Sequence, residues 1–378
     1  SEDLPAVIQL VKEIIEIKSV SSNIEELNNC LKYCVDFVQA KNKDKIFINK
    51  KEFNGISSIL FSNCDTMNFD VLSIGHIDVV PAKDELFAVK IEENKLYGRG
   101  SADMKSGVLI ALDLLKDTIE KNIAIKYGVL VVSDEEVGGV NGAKKWAELG
   151  LNATVLLDYD CGDGFEYISQ KSKGITIVEL ESKGIEAHGS MSWDGLDAND
   201  IIIDTINELR AKFKNFSIYN KPKDSWVPTM HVGKINGGDA MNKIASQSKA
   251  TLDFRLTEQY KVQDVFNIIN EIIDRKYKDL LSYKVIGYGE AVYSNSENKY
   301  FKKYKDILKK ELNNKEPQLV TFNGATDMRY FVNDKNIVIH HNSNIGTIHS
   351  DNEYVDLTTL AKLKKVGLEF ILNYKNIK

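Results

Sequence analysis

The chain has few of the residues that stabilise small secreted proteins or mark membrane proteins. Its 378 residues include four cysteines and five prolines, and the cysteines follow no disulfide or metal-binding spacing. No apolar run is long enough to span a bilayer, and residues 1–18 carry Glu, Asp and Lys where a signal peptide would be apolar. We therefore expect a cytoplasmic protein with reduced thiols.

An excess of charge of one sign is also lacking. The net charge is −6 and no basic cluster interrupts the mixed-sign pattern, so neither nucleic acid nor a membrane surface is expected as a partner. No Gly-Lys-Ser/Thr closes a phosphate loop, and no G-x-S-x-G elbow marks an α/β serine hydrolase. What remains is a globular composition, 43% apolar and 28% charged, long enough for two domains.

Helical and strand patterns alternate in the first part of the chain and near its end. Apolar residues recur at helical spacing over 5–17, 24–38, 106–117, 297–312 and 357–373. Strands are predicted at 46–49, 56–61, 69–75, 127–133, 154–158 and 336–341. This alternation favours an α/β layer architecture with a largely parallel sheet.

The middle of the chain has a different order of elements. We predict strand 174–182, helix 197–213, strands 228–235 and 248–256, helix 262–277 and strand 282–290. This β-α-β-β-α-β order is typical of a ferredoxin-like α+β unit. It predicts a catalytic domain made of residues 1–172 and 293–378, with an inserted domain over residues 173–292.

Polar side chains follow the predicted strands of the first domain. They are His76 and Asp78, Asp103 in a glycine-flanked loop, Glu135 and Glu136, and Asp158. Open α/β sheets bind ligands beyond the carboxyl ends of their strands, so we expect these groups to converge. An isolated H-x-D can also be a structural histidine beside a turn aspartate.

Carboxylates gathered with a histidine at one edge repel each other unless positive charge lies among them. Two divalent cations would nearly neutralise them if one aspartate bridged the ions and each ion took one further carboxylate and one imidazole. Histidine with carboxylate suits zinc. A neighbouring carboxylate that binds no metal could take a proton from water, and Glu135 and Glu136 offer one of each kind.

Together these motifs resemble the dinuclear zinc amidohydrolases and metallopeptidases. That family includes acetylornithine deacetylase, succinyl-diaminopimelate desuccinylase, glutamate carboxypeptidase, the aminoacylases and the bacterial di- and tripeptidases. The matching motifs are H-x-D, G-R-G-x-x-D-M-K, D-E-E, a carboxylate after an apolar strand, and a late histidine followed by Glu in GTIHSDNEYV. The resemblance implies a three-layer α/β/α, zinc-exopeptidase-like catalytic domain with an inserted lid or dimerisation domain.

The resemblance also implies two Zn²⁺ per chain, with Co²⁺ or Mn²⁺ as substitutes. Asp103 would bridge the ions, and the remaining ligands would be His76 and Asp158 for one ion and Glu136 and His349 for the other. Glu135 would be the general base, and Asp78 would orient the His76 imidazole. The peptide bond between Asp103 and Met104 would be cis.

Further positions match family segments outside the metal site. KGIEAHGSMSW resembles the segment whose histidine reaches the active site of the other subunit in a homodimer, so His188 would stabilise an oxyanion there. The substrate-binding positions implied are Asn242, Arg255, Gly324 and Arg329. A guanidinium suits a substrate carboxylate, although either arginine could instead form an ordinary salt bridge.

Two ligand assignments stay open. Asp160 lies two residues after Asp158 in LLDYDCGD and would face the same way, although Asp158 is favoured. His340 and His341 end an apolar strand and compete with His349, but we interpret them as edge or substrate-side histidines.

The chain is therefore predicted to be a zinc-dependent hydrolase that cleaves an amide bond of a small peptide or N-acyl amino acid. A metal-bridging hydroxide would attack the carbonyl, with Glu135 as general base. Asp158 stands where deacetylases and desuccinylases usually have Glu, which favours an exopeptidase or dipeptidase over an N-acyl amino acid deacylase. The alternative from another class is a non-catalytic dimer that binds a peptide or amino acid; against it, no expected ligand or base is missing.

Overall fold

The computed structural model describes residues 4–42, 44–160, 164–213 and 226–377. The chain forms two compact units. Unit 1 consists of Ser1–Lys171, Tyr293–Phe322 and Thr326–Lys378, and unit 2 of Ser172–Val292 and Asn323–Ala325. Unit 1 is therefore assembled from both ends of the chain, and unit 2 comes mainly from its middle.

The helices, in chain order, are α1 (Leu4–Glu16), α2 (Ile24–Asn42), α3 (Lys105–Glu120), α4 (Ala143–Glu148), α5 (Ala198–Lys212), α6 (Val262–Lys276), α7 (Lys299–Glu311) and α8 (Leu357–Asn373). The strands are β1 (Phe47–Phe53), β2 (Ile56–Ser62), β3 (Asn68–His76), β4 (Lys90–Glu92), β5 (Lys95–Tyr97), β6 (Tyr127–Val132), β7 (Asn152–Asp158), β8 (Tyr167–Ser172), β9 (Gly174–Lys183), β10 (Thr229–Gly237), β11 (Gln247–Leu256), β12 (Leu281–Gly289), β13 (Val292–Tyr293), β14 (Gln318–Phe322), β15 (Ile337–His340) and β16 (Tyr354–Asp356).

The main sheet of unit 1 has the strand order β1-β2-β6-β3-β7-β15-β8-β13, with β14 paired to β8. Its centre is parallel, because β3 pairs parallel with β6 and β7, and β7 pairs parallel with β15. The flanking pairs β1–β2, β2–β6 and β15–β8 are antiparallel. The predicted α/β class is thus confirmed, with a mixed sheet rather than a largely parallel one.

Helix α3 packs against β3 and β6 through the apolar face that the sequence pattern predicts. Its residues Val108, Leu112 and Leu115 are buried in the core of unit 1. The approach of α3 to β3 is close at Gly75, where a Cβ atom would lie 2.8 Å from side-chain carbons of both Met104 and Val108. A glycine therefore precedes the candidate ligand His76 because the helix leaves no room for a side chain.

A small sheet connects two segments that are distant in the sequence. It has the order β16-β5-β4, and Tyr354 pairs with Tyr97 in antiparallel register. The loop after β5 carries Asp103, and the segment before β16 carries His349. The pairing of β5 with β16 therefore brings two candidate ligands to the same side of unit 1.

Unit 2 contains an antiparallel sheet of order β10-β11-β9-β12. Helix α5 packs against β9, β10 and β11, and helix α6 against β9 and β12. Its elements follow one another as β-α-β-β-α-β. Across the described part of the whole chain, no helix combines the length and the apolar character needed to cross a membrane.

Candidate metal centre

His76 is the last residue of β3, and its side chain is buried. Its Nδ1 lies 2.9 Å from the main-chain oxygen of Asp78. A carbonyl oxygen can only accept, so Nδ1 carries a hydrogen and Nε2 is the nitrogen that a metal ion could bind. This Nε2 lies 3.0 Å from Oδ1 of Asp103 and 3.4 Å from Oδ1 of Asp160.

Asp103 lies between two imidazoles. Its Oδ1 faces His76, and its Oδ2 is 3.0 Å from Nε2 of His349. The peptide bond between Asp103 and Met104 is cis, as the family resemblance implies. One carboxylate thus presents a different oxygen to each histidine, which is the arrangement that a bridging ligand needs.

The described residues place six side chains in two groups, namely His76, Glu135 and Asp160, and Asp103, Glu136 and His349. Within each group the potential ligand atoms lie within 4.8 Å of one another. In the second group, Nε2 of His349 is 3.2 Å from Oε1 of Glu136. In the first, Oε2 of Glu135 is farther away, at 4.0 Å from Nε2 of His76.

The geometry favours Asp160 over Asp158 as the third member of the first group. Asp158 pairs in register with Ile74, whereas His76 is two residues farther along β3. The side chain level with His76 therefore comes from Asp160, which lies just beyond the end of β7. The Asp160 amide donates a hydrogen bond to Oδ1 of Asp158 at 2.9 Å, so Asp158 supports the turn that carries Asp160.

Asp158 instead belongs to a buried polar network behind the centre. Its Oδ2 lies 2.7 Å from Nδ1 of His340 and accepts a hydrogen bond of 2.7 Å from the Thr326 hydroxyl. His341 is also buried, with Nδ1 2.9 Å from the hydroxyl of Tyr304. Both histidines are enclosed in unit 1 rather than lying at an edge, so neither competes with His349.

Asp78 contacts more of the site than its predicted role requires. Its carboxylate accepts the backbone N–H groups of Glu135 and Glu136, each at 3.1 Å, and a hydroxyl hydrogen bond from Ser21 at 2.9 Å. Its Oδ1 is 3.4 Å from Nδ1 of His76. Asp78 therefore fixes both the imidazole and the turn that carries the two glutamates, and the second contact is not apparent from the H-x-D motif.

Arg329 lies beside Glu135. Its Nη1 is 3.6 Å from Oε1 of Glu135, and its Nη2 is 3.3 Å from Oδ1 of Asp327 and 3.1 Å from the main-chain oxygen of Gly138. Burial raises the pKa of the Glu135 carboxyl to about 8, against the charges of His76 and Arg329, which lower it. Arg329 thus has acceptors within unit 1.

The electrostatics of the centre depend on positive charge between the carboxylates. Hydrogen bonds to Asp103 and Glu136 raise the pKa of His349 to about 10. Burial raises the pKa of Asp103, but hydrogen bonds from His349 and His76 outweigh it and lower the pKa well below its usual value. Each of the two groups contains one imidazole, and Asp103 presents one oxygen to each imidazole. Two divalent cations could therefore take the place of the shared protons, with Asp103 offering one oxygen to each ion.

The predicted residues of unit 2 are His188, Asn242, Arg255 and Gly324. His188 and Asn242 are exposed. Arg255 pairs with Asp253 of the same strand, at 2.8 Å from Nε to Oδ1 and 3.0 Å from Nη2 to Oδ2. The main-chain oxygen of Gly324 accepts an N–H from Lys173 at 3.1 Å. Arg255 therefore has an acidic partner on its own strand.

An α/β unit with two imidazole–carboxylate groups joined by one aspartate at the carboxyl ends of parallel strands defines a metal-dependent hydrolase. The model of peptidase family M20/M25/M40 matches residues 72–373, and the chain belongs to this family. The resemblance described from the motifs is thereby confirmed.

Two relatives and one solved structure give the extent of the likeness. Acetylornithine deacetylase of Buchnera aphidicola is 24% identical and aligns over 98% of this chain and 98% of its own. Succinyl-diaminopimelate desuccinylase of Rickettsia felis is 25% identical over 97% of this chain and 99% of its own. An M20 family metallo-carboxypeptidase from Sulfolobus solfataricus, 18% identical, superposes with a TM-score of 0.79 over 97% of this chain and 99% of its own, which shows a shared fold.

Proposed function

We propose that the chain is a dinuclear zinc hydrolase that cleaves an amide bond of a small peptide. The observation that carries the proposal is the Asp103 carboxylate, which lies 3.0 Å from Nε2 of both His76 and His349. His76, Asp160 and Asp103 would hold one ion, and Glu136, His349 and Asp103 the other. When bound, the two ions would polarise the substrate carbonyl and lower the pKa of a water molecule.

Glu135 is the proposed general base. It lies at the edge of the first ligand group, 4.0 Å from Nε2 of His76, on the turn that Asp78 fixes. From there its carboxylate would take a proton from the attacking water and deliver it to the leaving amine. Arg329, 3.6 Å from Glu135, would help to keep that carboxylate oriented.

A peptide is proposed in preference to an N-acyl amino acid because the segment LLDYDCGD supplies an aspartate where the deacylases of the family usually have Glu. The relatives named as a deacetylase and a desuccinylase keep N-acyl amino acids as the second candidate substrate class. Both classes share the same reaction, since in each an amide carbonyl is attacked and an amine leaves.

The roles of unit 2 are part of the proposal. We propose a homodimer formed through this unit, in which His188 of the partner subunit stabilises the oxyanion. Asn242, Arg255 and Gly324, together with Arg329, would bind substrate. Both His188 and Asn242 are exposed, and because the His188 Nδ1 lies 2.8 Å from the Ser190 hydroxyl, its Nε2 is the nitrogen that would face the oxyanion. The small number of cysteines supports a cytoplasmic location.

The first experiment measures bound metal and hydrolysis together. Metal-free protein is loaded separately with Zn²⁺, Co²⁺ and Mn²⁺, metal per chain is determined by elemental analysis, and a pooled set of dipeptides and N-acyl amino acids is assayed. Glu135→Ala is compared with Glu148→Ala, a control that removes an exposed glutamate paired with Lys145. We expect two zinc ions per chain in all three proteins and hydrolysis by the native chain and the control only.

Protein that binds no zinc and stays inactive after zinc is added would contradict the proposal and favour a non-catalytic binding protein. The substrate class has its own test, in which dipeptides with a free amino terminus are compared with their N-acetyl and N-succinyl counterparts. Faster turnover of the free dipeptides is expected, and the reverse order would establish a deacylase.

A further inference from the structure

Glu353 is a buried carboxylate close to the metal centre to which the catalytic proposal gives no role. It is 2% exposed and directly precedes β16. Its Oε1 accepts backbone N–H groups from Gly100 at 2.9 Å, Ala102 at 3.0 Å and Asp103 at 3.2 Å. Its Oε2 pairs with Nη1 of Arg99, which is 4% exposed. One side chain thus binds most of the loop that ends at Asp103.

The loop is shaped so that these N–H groups point at one place. Gly100 has a φ of +85°, and a Cβ atom there would lie 2.9 Å from the Val79 side chain and 3.1 Å from Lys105. Backbone N–H groups that converge in such a turn form a concave site for an anion, and here the anion is the Glu353 carboxylate. A charged acceptor makes these bonds stronger than neutral ones.

Glu353 also ties this loop to the segment that carries His349. Its main-chain oxygen accepts the N–H of Gly98 at 3.2 Å, and the next residue begins the pairing of β16 with β5. The Asp103 carboxylate and the His349 imidazole, 3.0 Å apart, therefore belong to two segments that Glu353 joins through both its side chain and its main chain.

We propose that Glu353 is a positioning residue of the metal centre, which holds the 99–103 loop so that Asp103 lies between His76 and His349. The inference rests on the proposed two-ion site. Without the carboxylate, three backbone N–H groups, two of them buried, would lack their acceptor and the loop would adopt other conformations. Asp103 would then bridge the ions in only part of the population, and both ions would bind more weakly.

Two double variants isolate the hydrogen bonds from the charge. Arg99→Met/Glu353→Gln removes the ion pair but keeps an amide oxygen for the three N–H groups, and Arg99→Met/Glu353→Met removes that acceptor as well. The matched single control is Asp351→Asn. Asp351 lies two residues before Glu353, and the substitution removes its exposed ion pair with Lys83. Zinc affinity of each folded, metal-free protein is measured by competition with a chromophoric chelator.

The Met variant should bind zinc roughly 10–100-fold more weakly than the Gln variant, the range found when a partner of a metal ligand is lost. The Gln variant and the control should bind zinc like the native chain. In the hydrolysis assay, the Met variant should show a lower kcat with an unchanged KM, and excess zinc should restore kcat. Equal zinc affinity in the two double variants, with only the melting temperature lowered, would overturn the inference.

Hydrogen exchange in the native, metal-free protein gives a second measurement that needs no variant. The amides of Gly100, Ala102 and Asp103 should be protected, and rapid exchange of all three would contradict the inference. Zinc affinity is measured whether or not a substrate is cleaved. A native chain that binds two zinc ions without hydrolysing an amide would therefore refute the proposed function but not this inference. Native-like zinc affinity in the Met variant would refute this inference but not the proposed function.

Discussion

The different positions of Asp158 and Asp160 give a prediction in which two neighbouring substitutions have opposite effects. Asp158 is 1% exposed, and its carboxylate makes three hydrogen bonds, with Thr326, His340 and the Asp160 amide. Asparagine would turn one acceptor oxygen into a donor, so in one orientation of the amide the Asp160 N–H loses its acceptor, and in the other the bonds with Thr326 and His340 lose their charged acceptor.

The cost of that loss can be worked from the network. A buried hydrogen bond to a charged group contributes about 1.5–3 kcal/mol. We therefore expect Asp158→Asn to lower the free energy of unfolding of the metal-free protein by about 2–3 kcal/mol, and the melting temperature by roughly 3–6 °C. Because Asp158 lies outside both ligand groups, zinc stoichiometry should stay at two ions per chain.

Asp160→Asn should do the reverse. Asp160 lies among close carboxylates, with its Oδ1 3.4 Å from Nε2 of His76. Because the substitution removes one negative charge and so reduces the repulsion between these carboxylates, the melting temperature of the metal-free protein should be unchanged or higher. Zinc affinity should fall by more than the roughly 10–100-fold that the loss of an outer partner costs.

Thermal melting of metal-free protein and equilibrium dialysis against zinc would check both substitutions. If Asp158→Asn loses zinc at an unchanged melting temperature while Asp160→Asn keeps two ions, Asp158 is the ligand and the register argument is refuted.

Three further predictions concern the base, the ions and the core. Glu135→Gln should lower kcat for amide hydrolysis roughly 100–10,000-fold at unchanged zinc stoichiometry, and retention of activity would exclude Glu135 as the base. Free zinc at 100 times its Kd should stabilise the chelator-treated protein by about 2.7 kcal/mol for each ion bound in thermal melting, and no stabilisation would mean that the folded centre does not bind it. Burial raises the pKa of both Cys30 and Cys34, so iodoacetamide at neutral pH should leave these thiols unmodified until the protein is unfolded, as peptide mass spectrometry would report.

Elements with a sustained apolar period could be predicted from the sequence. The pattern over 357–373 coincides with α8 (Leu357–Asn373), because apolar spacing sustained over four turns identifies both the helix and its buried face. Strands such as β4 (Lys90–Glu92) and β16 (Tyr354–Asp356) were not predicted, since three residues are too few to show a period. Their pairing with β5 depends on contacts between distant parts of the chain.

The candidate site follows the same division. The positions of His76, Asp103 and Glu136 relative to strand ends and a glycine-flanked loop could be inferred from local sequence. The choice between Asp158 and Asp160 could not, because it depends on how far β7 extends along β3, and that register is a tertiary property. The sequence motif includes Glu353 as the glutamate that follows His349, but the motif gives no sign of its hydrogen bonds to the loop that ends at Asp103. Those bonds form only in the folded unit.

The place of β15 in the main sheet has a consequence for the order in which the protein folds during synthesis. In the sheet, β15 (Ile337–His340) lies between β7 and β8, which are made much earlier. Unit 2, from nearly contiguous residues, can fold as it leaves the ribosome, whereas the sheet of unit 1 lacks an inner strand until residue 340 has emerged. We expect nascent chains arrested before that point to contain a folded unit 2 joined to an open, protease-sensitive unit 1 that is unable to retain zinc.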